Sequence, residues 1–202
     1  MKLYQSATSP FARKVIVLLK ETGQMGDVEL IGSGGSPLNS DNMPTAQNPL
    51  GKIPALERDT GPALFDSRVI CQFFDNRAGG KLYPAAPRLW DCLTLEAIGD
   101  GIVDAAILIV YEQRIRPENI RMQAWVDGQW SKVARALDAL EADWGDYLSG
   151  PFDMGQVSLA CALSYLDFRH TGRNWRENHP SLAKWEAAFA TRDSMKATVP
   201  VE

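Results

Sequence analysis

The chain has 202 residues, of which 45% are hydrophobic and 23% charged, a composition that can bury one sizeable core or two smaller ones. Its 21 Lys and Arg against 25 Asp and Glu give a formal net charge of -4, which disfavours a generic basic surface for nucleic acid. The longest uninterrupted apolar stretch, 105–110, is far short of the roughly 18 residues that cross a bilayer, and the first residues lack the apolar segment of a signal peptide. We therefore expect an intracellular, cytoplasmic protein that binds neither nucleic acid nor membrane.

The soft metal ligands and thiols are few and scattered. Cys71, Cys92 and Cys161 contain no C-x-x-C pair, and their odd number fits a reducing compartment better than a disulfide framework. The two histidines, His170 and His179, belong to no cluster with metal-site spacing. The sequence thus predicts no bound metal and no dithiol redox site, and the cysteines are interpreted as small buried hydrophobic residues.

The first half of the chain alternates short apolar runs with turn-forming segments. Ser9 suits a helix N-cap and Pro10 the first helical position, while Asp66 and Ser67 are capping residues before a second apolar stripe. The predicted elements are, in order, a strand at 2–5, a helix at 9–23, a strand at 28–31, a hairpin of 53–56 and 63–65, and a helix from 66 to 79. This order is βαβ followed by ββα.

The second half predicts helices only. Asp153 and Gln156 have the spacing of a capping box, in which the Gln156 side chain would reach back to the N-cap backbone. The predicted helices cover 89–115, 118–148, the buried apolar run 157–168 and a last segment opened by 179–181, followed by an irregular tail over 191–202. We accordingly divide the chain into an α/β domain at 1–78, a proline-containing linker at 79–88 and an all-helical domain at 89–202.

Three segments taken together resemble the cytosolic glutathione S-transferases: SPFARKV at 9–15, NPLGKIPAL at 48–56 and FDSRVI at 65–70. The resemblance covers nearly the whole chain, and the sequence looks most like the small bacterial members that have an N-terminal serine. It implies a thioredoxin-like domain that binds glutathione, an all-α helical domain that shapes the pocket for an electrophile, a homodimer, and a role in detoxification. Two departures are the glutamine at Gln156, where the family usually has an acid, and the lack of cysteine in 6–10, which argues against a mixed disulfide with the enzyme.

The resemblance gives Ser9 the central role. The thiol of glutathione, with a pKa of about 8.5, is mostly protonated at neutral pH, whereas the nucleophile is the thiolate. Ser9 is expected to stabilise the thiolate by donating its hydroxyl hydrogen, and the N-terminus of the first helix adds positive potential. Two alternatives stay open: Ser9 is only an N-cap, or Thr8 is the donor.

The other expected glutathione contacts follow from the same resemblance. Ile53 would present its backbone to the cysteinyl part if the Ile53–Pro54 bond is cis, and Lys52 could pair with a carboxylate. Asp66 and Ser67 would receive the γ-glutamyl group at a helix N-terminus. Each contact has a simpler interpretation: Pro54 is a strand-entry proline, Lys52 is a solvated loop lysine, and Asp66 and Ser67 only cap the helix.

The pocket for the electrophile is expected at Phe11, Ile102, Ala106 and Tyr111, although most of such an apolar stripe is ordinarily core. The resulting hypothesis is a glutathione S-transferase that delivers the thiolate of its cosubstrate glutathione to a hydrophobic electrophile. A glutathione-dependent disulfide reductase or peroxidase, and a non-catalytic interaction or regulatory protein with the same fold, are the alternatives. The segment at 13–14, just inside the first helix, is expected to face a partner subunit or water.

Overall fold

The computed structural model describes residues 1–201, which form two compact units. The first contains Met1–Leu89 together with the chain from Asp193, and the second contains Trp90–Arg192. Within residues 1–201, none of the helices combines the length and the apolar character that a membrane span requires. The same residues contain no group of three or more His, Cys, Asp or Glu side chains placed to hold a metal ion. The sequence-based domain limits stay a prediction. They differ from this division in treating 79–88 as a separate linker and in placing Leu89 and the tail from Asp193 in the helical domain.

A three-stranded sheet organises the first unit. β1 (Lys2–Gln5) lies in the middle, parallel to β2 (Glu29–Gly32) and antiparallel to β3 (Ala55–Glu57). α1 (Pro10–Glu21) and α2 (Ser67–Arg77) bury their apolar stripes, and the predicted βαβ order is confirmed. β2 begins at Glu29, one residue later than predicted.

The predicted hairpin after Ile53 is shorter than the sequence indicates. Its second strand is reduced to one bridge, in which Leu56 and Leu64 exchange both backbone hydrogen bonds at 2.9 Å. The intervening turn is closed by the Arg58 guanidinium, which donates to the carbonyl of Pro62 at 2.7 and 3.1 Å. Since Pro62 has no N–H to donate to a ladder, the strand does not extend in that direction.

The tail that we expected to be irregular contains a short helix, α8 (Asp193–Lys196), which packs against α1. Arg13 holds this segment: its Nε donates to the Thr198 hydroxyl and one terminal nitrogen donates to the Met195 carbonyl, both at 3.2 Å. Arg13 is 6% and Lys14 1% exposed, so the expectation that they face water or a partner was wrong. A guanidinium that satisfies tail carbonyls and hydroxyls has a reason to be buried that no periodicity reveals.

The second unit is a helical bundle. Its elements are α3 (Arg88–Arg114, which starts in the first unit), α4 (Gln123–Asp143), α5 (Gly145–Leu148), α6 (Met154–Arg169) and α7 (Pro180–Phe189). α6 is buried almost throughout, and Gly155 lets it approach α3, since a Cβ there would lie 2.7 Å from the Cys92 carbonyl oxygen. The single helix predicted over 118–148 is divided into a 3-10 turn (Glu118–Ile120), α4 and α5, with Trp144 ending α4 and preceding α5.

Only half of the predicted capping box forms at the start of α6. The Asp153 side chain accepts the Gln156 backbone N–H at 3.1 Å, as an N-cap should. The Gln156 carboxamide does not reach back to the N-cap; it donates to the Leu148 carbonyl at 3.2 Å instead. The glutamine therefore connects α6 to the end of α5, a bond that a carboxylate could not make because it has no hydrogen to donate.

Candidate active site

Three segments of the first unit meet at one end of the sheet, the carboxyl end of β1. Because β3 is antiparallel to β1, with Tyr4 opposite Ala55, the loop that precedes β3 lies at the end where β1 stops. Leu64 pairs antiparallel with Leu56, so the chain then runs back towards that same end before α2 begins. The turn before α1, the loop before β3 and the start of α2 are thus brought together, as three separate sequence segments predicted.

Ser9 stands at the N-terminus of α1 in extended conformation, and its Oγ accepts the Ala12 backbone N–H at 3.3 Å. This bond uses an oxygen lone pair and leaves the hydroxyl hydrogen available for another acceptor. Capping and donation to a sulfur are therefore compatible, so the N-cap role of Ser9 does not exclude its proposed catalytic role. The partial positive charge of the helix N-terminus acts at the same place.

Thr8 is in a different situation. Its hydroxyl lies 3.1 Å from the Ser6 hydroxyl, and its backbone N–H donates to the Ser6 Oγ at 3.3 Å. Ser6 also accepts the Ser9 N–H through its carbonyl at 3.0 Å, which closes the turn. The Thr8 hydroxyl thus belongs to the internal bonding of the turn, whereas Ser9 directs its oxygen to the helix end.

The loop before β3 is organised by Asn48, a residue whose role was not predicted from the sequence. Asn48 is buried; its carboxamide donates to the Lys52 carbonyl at 2.9 Å and accepts the Leu50 N–H at 3.0 Å. The bond between Ile53 and Pro54 is cis, as considered from the sequence. Among residues 1–201, no hydrogen bond uses the Ile53 backbone, and the Lys52 side chain is exposed. An asparagine before a proline and glycine turn was the signal that could have identified this loop anchor.

At the start of α2, Asp66 is the N-cap and accepts the Arg68 backbone N–H at 3.0 Å. The Arg68 guanidinium also lies on the Asp66 carboxylate, with the shortest nitrogen to oxygen distance at 2.7 Å. Partial burial would raise the pKa of Asp66, but the hydrogen bonds and charge of Arg68, with a contribution from the buried Lys14 ammonium, lower the pKa overall. Ser67 is only 2% exposed, and no hydrogen bond within residues 1–201 uses its hydroxyl.

The residues expected to line the electrophile pocket differ in their available surface. Ile102 and Ala106 are 2% and 0% exposed, so in this conformation they offer almost no area to a ligand. Phe11, in the first unit, and Tyr111, in the second, are each partly exposed. Burial raises the pKa of Tyr111, which keeps its phenol neutral. Their role in a pocket stays a prediction, and it is favoured most for the two aromatic residues.

A cavity of about 410 Å³ lies at the opposite end of the sheet and does not coincide with these residues. Its lining includes four carboxylates: Asp27, Glu29, Glu57 and Asp59. The Lys2 ammonium lies 3.4 Å from one of them, Glu57. These carboxylates outnumber the three cationic groups of the lining, the Met1 ammonium, Lys2 and Arg58, whereas two helices begin at the carboxyl end of β1, which is the better candidate site for an anionic tripeptide.

Comparison with known proteins agrees with this geometry. The family model described as the N-terminal domain of glutathione S-transferase matches residues 3–82, and that of the C-terminal domain matches residues 123–188. The chain belongs to the glutathione S-transferase family. The expected thioredoxin-like α/β domain with an all-helical second part is thereby confirmed for this transferase family member.

Relatives of this family member extend over its whole length. The Escherichia coli (strain K12) protein described as uncharacterized GST-like protein YibF is 34% identical over 99% of this chain and 98% of its own. A crystal structure of a glutathione transferase family member from Pseudomonas fluorescens Pf-5 with bound glutathione is 45% identical, covers 100% of this chain and 99% of its own, and has a TM-score of 0.97. A second structure from that source contains S-(propanoic acid)-glutathione; it is also 45% identical, covers 100% of both chains and has a TM-score of 0.92.

Proposed function

We propose that this protein is a glutathione transferase. Glutathione binds at the carboxyl end of β1, its sulfur is held as the thiolate, and the thiolate attacks an electrophilic carbon of a hydrophobic substrate. The observation that carries the proposal is the Ser9 hydroxyl at the start of α1, beside the loop before β3 and the start of α2. The glutathione bound to the Pseudomonas fluorescens relative supports it.

Activation of the thiol rests on Ser9. Its oxygen already accepts the Ala12 N–H, so its hydrogen is the group to donate to the sulfur. Lowering the thiol pKa by about two units requires roughly 2.7 kcal/mol, within reach of one charge-assisted hydrogen bond and a helix N-terminus. In the reaction the sulfur lone pair forms the C–S bond, the thiol proton is released to solvent, and the electrophile loses a leaving group or the π component of a double bond.

The rest of glutathione is held by the groups around Ser9. The Ile53 N–H and C=O pair with the backbone of the cysteinyl residue, because no hydrogen bond within residues 1–201 uses them. The Ser67 hydroxyl and N–H bind the γ-glutamyl carboxylate at the N-terminus of α2. The Asp66 carboxylate binds the γ-glutamyl ammonium while it also contacts the Arg68 guanidinium. Lys52 pairs with the second carboxylate of glutathione, at the C-terminus of the tripeptide.

The test begins with calorimetric titration of glutathione and S-hexylglutathione, followed by conjugation of 1-chloro-2,4-dinitrobenzene. We expect binding of both ligands, with tighter binding of the hexyl derivative, and measurable turnover. Ser67→Ala should weaken glutathione binding by roughly tenfold, since a charge-assisted hydrogen bond is lost. Ser131→Ala, a substitution of an exposed serine on α4, is the matched control and should bind as the parent does. Absence of binding at millimolar ligand would refute the proposal and favour a partner-binding protein.

We also propose that the protein is a cytoplasmic homodimer that acts in detoxification, as the family resemblance implies. Light scattering coupled to gel filtration measures the assembly directly: a mass near twice the 22.3 kDa of the chain is expected. A mass equal to that of the single chain would refute the dimer without affecting the proposal for the site.

A further inference from the structure

The first turn of α1 is attached to the chain that follows the helical unit. Arg13 lies one helical turn after Ser9. Its Nε donates to the Thr198 hydroxyl and one terminal nitrogen donates to the Met195 carbonyl, both at 3.2 Å. We call these two hydrogen bonds the tail contact. Both partners belong to the same compact unit as α1, so the contact lies within that unit.

The acceptors of Arg13 are themselves fixed by α8. The Thr198 hydroxyl donates its hydrogen to the Ser194 carbonyl at 2.8 Å and to the Met195 carbonyl at 3.3 Å, which leaves a lone pair for the Arg13 Nε. Ser194 and Met195 are buried and Thr198 is half-buried. The guanidinium is therefore bound to a structured segment and not to a loose chain end.

Arg13 is connected to Ser9 through the backbone of the helix. The Arg13 N–H donates to the Ser9 carbonyl at 2.9 Å, the first bond of the helix, and the Ser9 Oγ accepts the Ala12 N–H at 3.3 Å. These four residues span only about 6 Å along the helix axis. A displacement of the backbone at Arg13 therefore also displaces the Ser9 hydroxyl.

A buried guanidinium at this point does more than fill space. Arg13 is only 6% exposed, although an apolar side chain could fill the same volume without removing a charge from water. Hydrogen bonds restrict both distance and direction, whereas apolar contacts have no such directional preference. The tail contact therefore restrains the first turn of α1 in a way that apolar packing would not.

α8 also binds the other end of α1. The Ser194 hydroxyl donates to the Glu21 carboxylate, about 18 Å along the helix axis from Ser9. Of these two attachments of α1, the tail contact is thus the one close to Ser9. A loss of the distant attachment should loosen α8 without moving the first turn, which provides an internal comparison.

We propose that the tail contact positions the Ser9 hydroxyl for the sulfur of glutathione, which makes Arg13 and Thr198 positioning residues of the reaction. The inference rests on the proposed transferase function and adds to it residues outside the three segments that bind glutathione. Neither side chain is proposed to touch glutathione; both act through the first turn of α1. A misplacement of about 1 Å can cost roughly 100-fold in rate, so we expect an effect on the order of tenfold when one of the two bonds is lost.

Thr198→Val removes the acceptor of the Arg13 Nε while it nearly keeps the shape of the side chain. With saturating glutathione, and at a pH below the pKa of the bound thiol, conjugation of 1-chloro-2,4-dinitrobenzene should fall on the order of tenfold. The ultraviolet absorbance of the bound thiolate, measured against pH, should show a thiol pKa higher by about one unit. The rate should approach that of the parent at higher pH, where the thiolate forms in both proteins. Thr198→Ser retains the hydroxyl and should recover the parental profile.

Binding of S-methylglutathione shows whether the rest of the site is intact. This ligand has no thiol to ionise, so Thr198→Val should bind it as the parent does. Ser194→Ala is the matched control, since it removes a hydroxyl of α8 that bonds to the distant end of α1. It should keep the parental pKa of the bound thiol. A merely structural role of α8 would lower the rate at every pH and would affect both variants alike.

An unchanged thiol pKa in Thr198→Val, or an equal rise in Ser194→Ala, would overturn the inference. If thermal denaturation shows that Thr198→Val is unfolded at the assay temperature, Arg13→Lys takes its place. The ammonium keeps the charge but lacks the planar fork that reaches both acceptors, so the same rise in the thiol pKa is expected, and a parental pKa would refute the inference.

The proposed function is tested separately by the parent protein and by Ser9→Ala. If the parent does not bind glutathione, or if Ser9→Ala keeps the parental thiol pKa, the proposed role of Ser9 fails and this inference fails with it. A higher thiol pKa in Ser9→Ala together with a parental pKa in Thr198→Val refutes the tail contact alone.

Discussion

Replacement of Ser9 by alanine tests the catalytic proposal most directly. The hydroxyl has two roles: a capping bond to Ala12, long at 3.3 Å, and the proposed donation to sulfur. Loss of the cap should cost about 0.5–1 kcal/mol of stability, the lower part of the usual range. Loss of a hydrogen bond to a charged sulfur should cost about 1.5–3 kcal/mol, which raises the pKa of the bound thiol by about one to two units. At a pH below that pKa, conjugation should then fall about 10- to 100-fold, while the affinity for glutathione changes little.

The two roles separate with two further variants. Glycine at position 9 costs an N-cap only a few tenths of a kcal/mol, so Ser9→Gly should lose conjugation but keep stability, whereas Ser9→Thr retains both functions. Conjugation rate and the ultraviolet absorbance of the bound thiolate are measured against pH, with Thr8→Val as the comparison at the adjacent hydroxyl. An unchanged pH profile and a rate within twofold in Ser9→Ala would refute the reasoning. A loss confined to Thr8→Val would transfer the role to that residue.

Three other substitutions have definite expected outcomes. Asn48→Ala removes the hydrogen bond to the Lys52 carbonyl and should lower the free energy of unfolding, measured by urea denaturation, by about 1–3 kcal/mol. It should also weaken glutathione binding, measured by calorimetry. An unchanged affinity would mean that the loop is rigid without its anchor. Gln156→Glu is closer to the family pattern but should lower the free energy of unfolding by about 1–3 kcal/mol, because a carboxylate cannot donate to the Leu148 carbonyl. A thermal midpoint equal to or above that of the parent would contradict this. Hydrogen bonds, chiefly from a backbone N–H and then from an arginine, lower the pKa of Glu112, so its stabilising effect is present above the unfolded pKa and is lost as pH falls through the folded pKa. Glu112→Gln should accordingly be less stable than the parent at neutral pH and equal to it in acid, and a pH-independent difference would be inconsistent with that account.

The parts of the site that the sequence predicted are those governed by local rules. Ser9 and Asp66 are helix caps in the structure because short polar side chains satisfy the first free N–H groups of a helix, whatever the rest of the fold does. Pro54 before β3 follows from the missing N–H of proline. These preferences depend on neighbouring residues along the chain, so a single sequence reveals them.

The parts that the sequence did not predict depend on contacts between distant segments. The burial of Arg13 makes sense only when residues almost two hundred positions later return to accept its hydrogen bonds. Gln156 has the spacing of a capping box but bonds to the preceding helix, since the end of α5 brings a carbonyl nearer than its own N-cap. The loop around Asn48 could be predicted as a turn, yet the burial of its anchor is a tertiary fact.

The return of the tail to the first unit bears on the order in which the protein is made. A ribosome releases the chain from its N-terminus, and domains usually fold as they emerge. Here the strands and helices of the proposed glutathione site are synthesised before the helical unit, but Arg13 and Glu21 await Met195, Thr198 and Ser194, which follow that unit in sequence. The helical unit, contiguous in sequence, is complete before that moment. Of the two units, the one whose synthesis starts earlier is thus completed later.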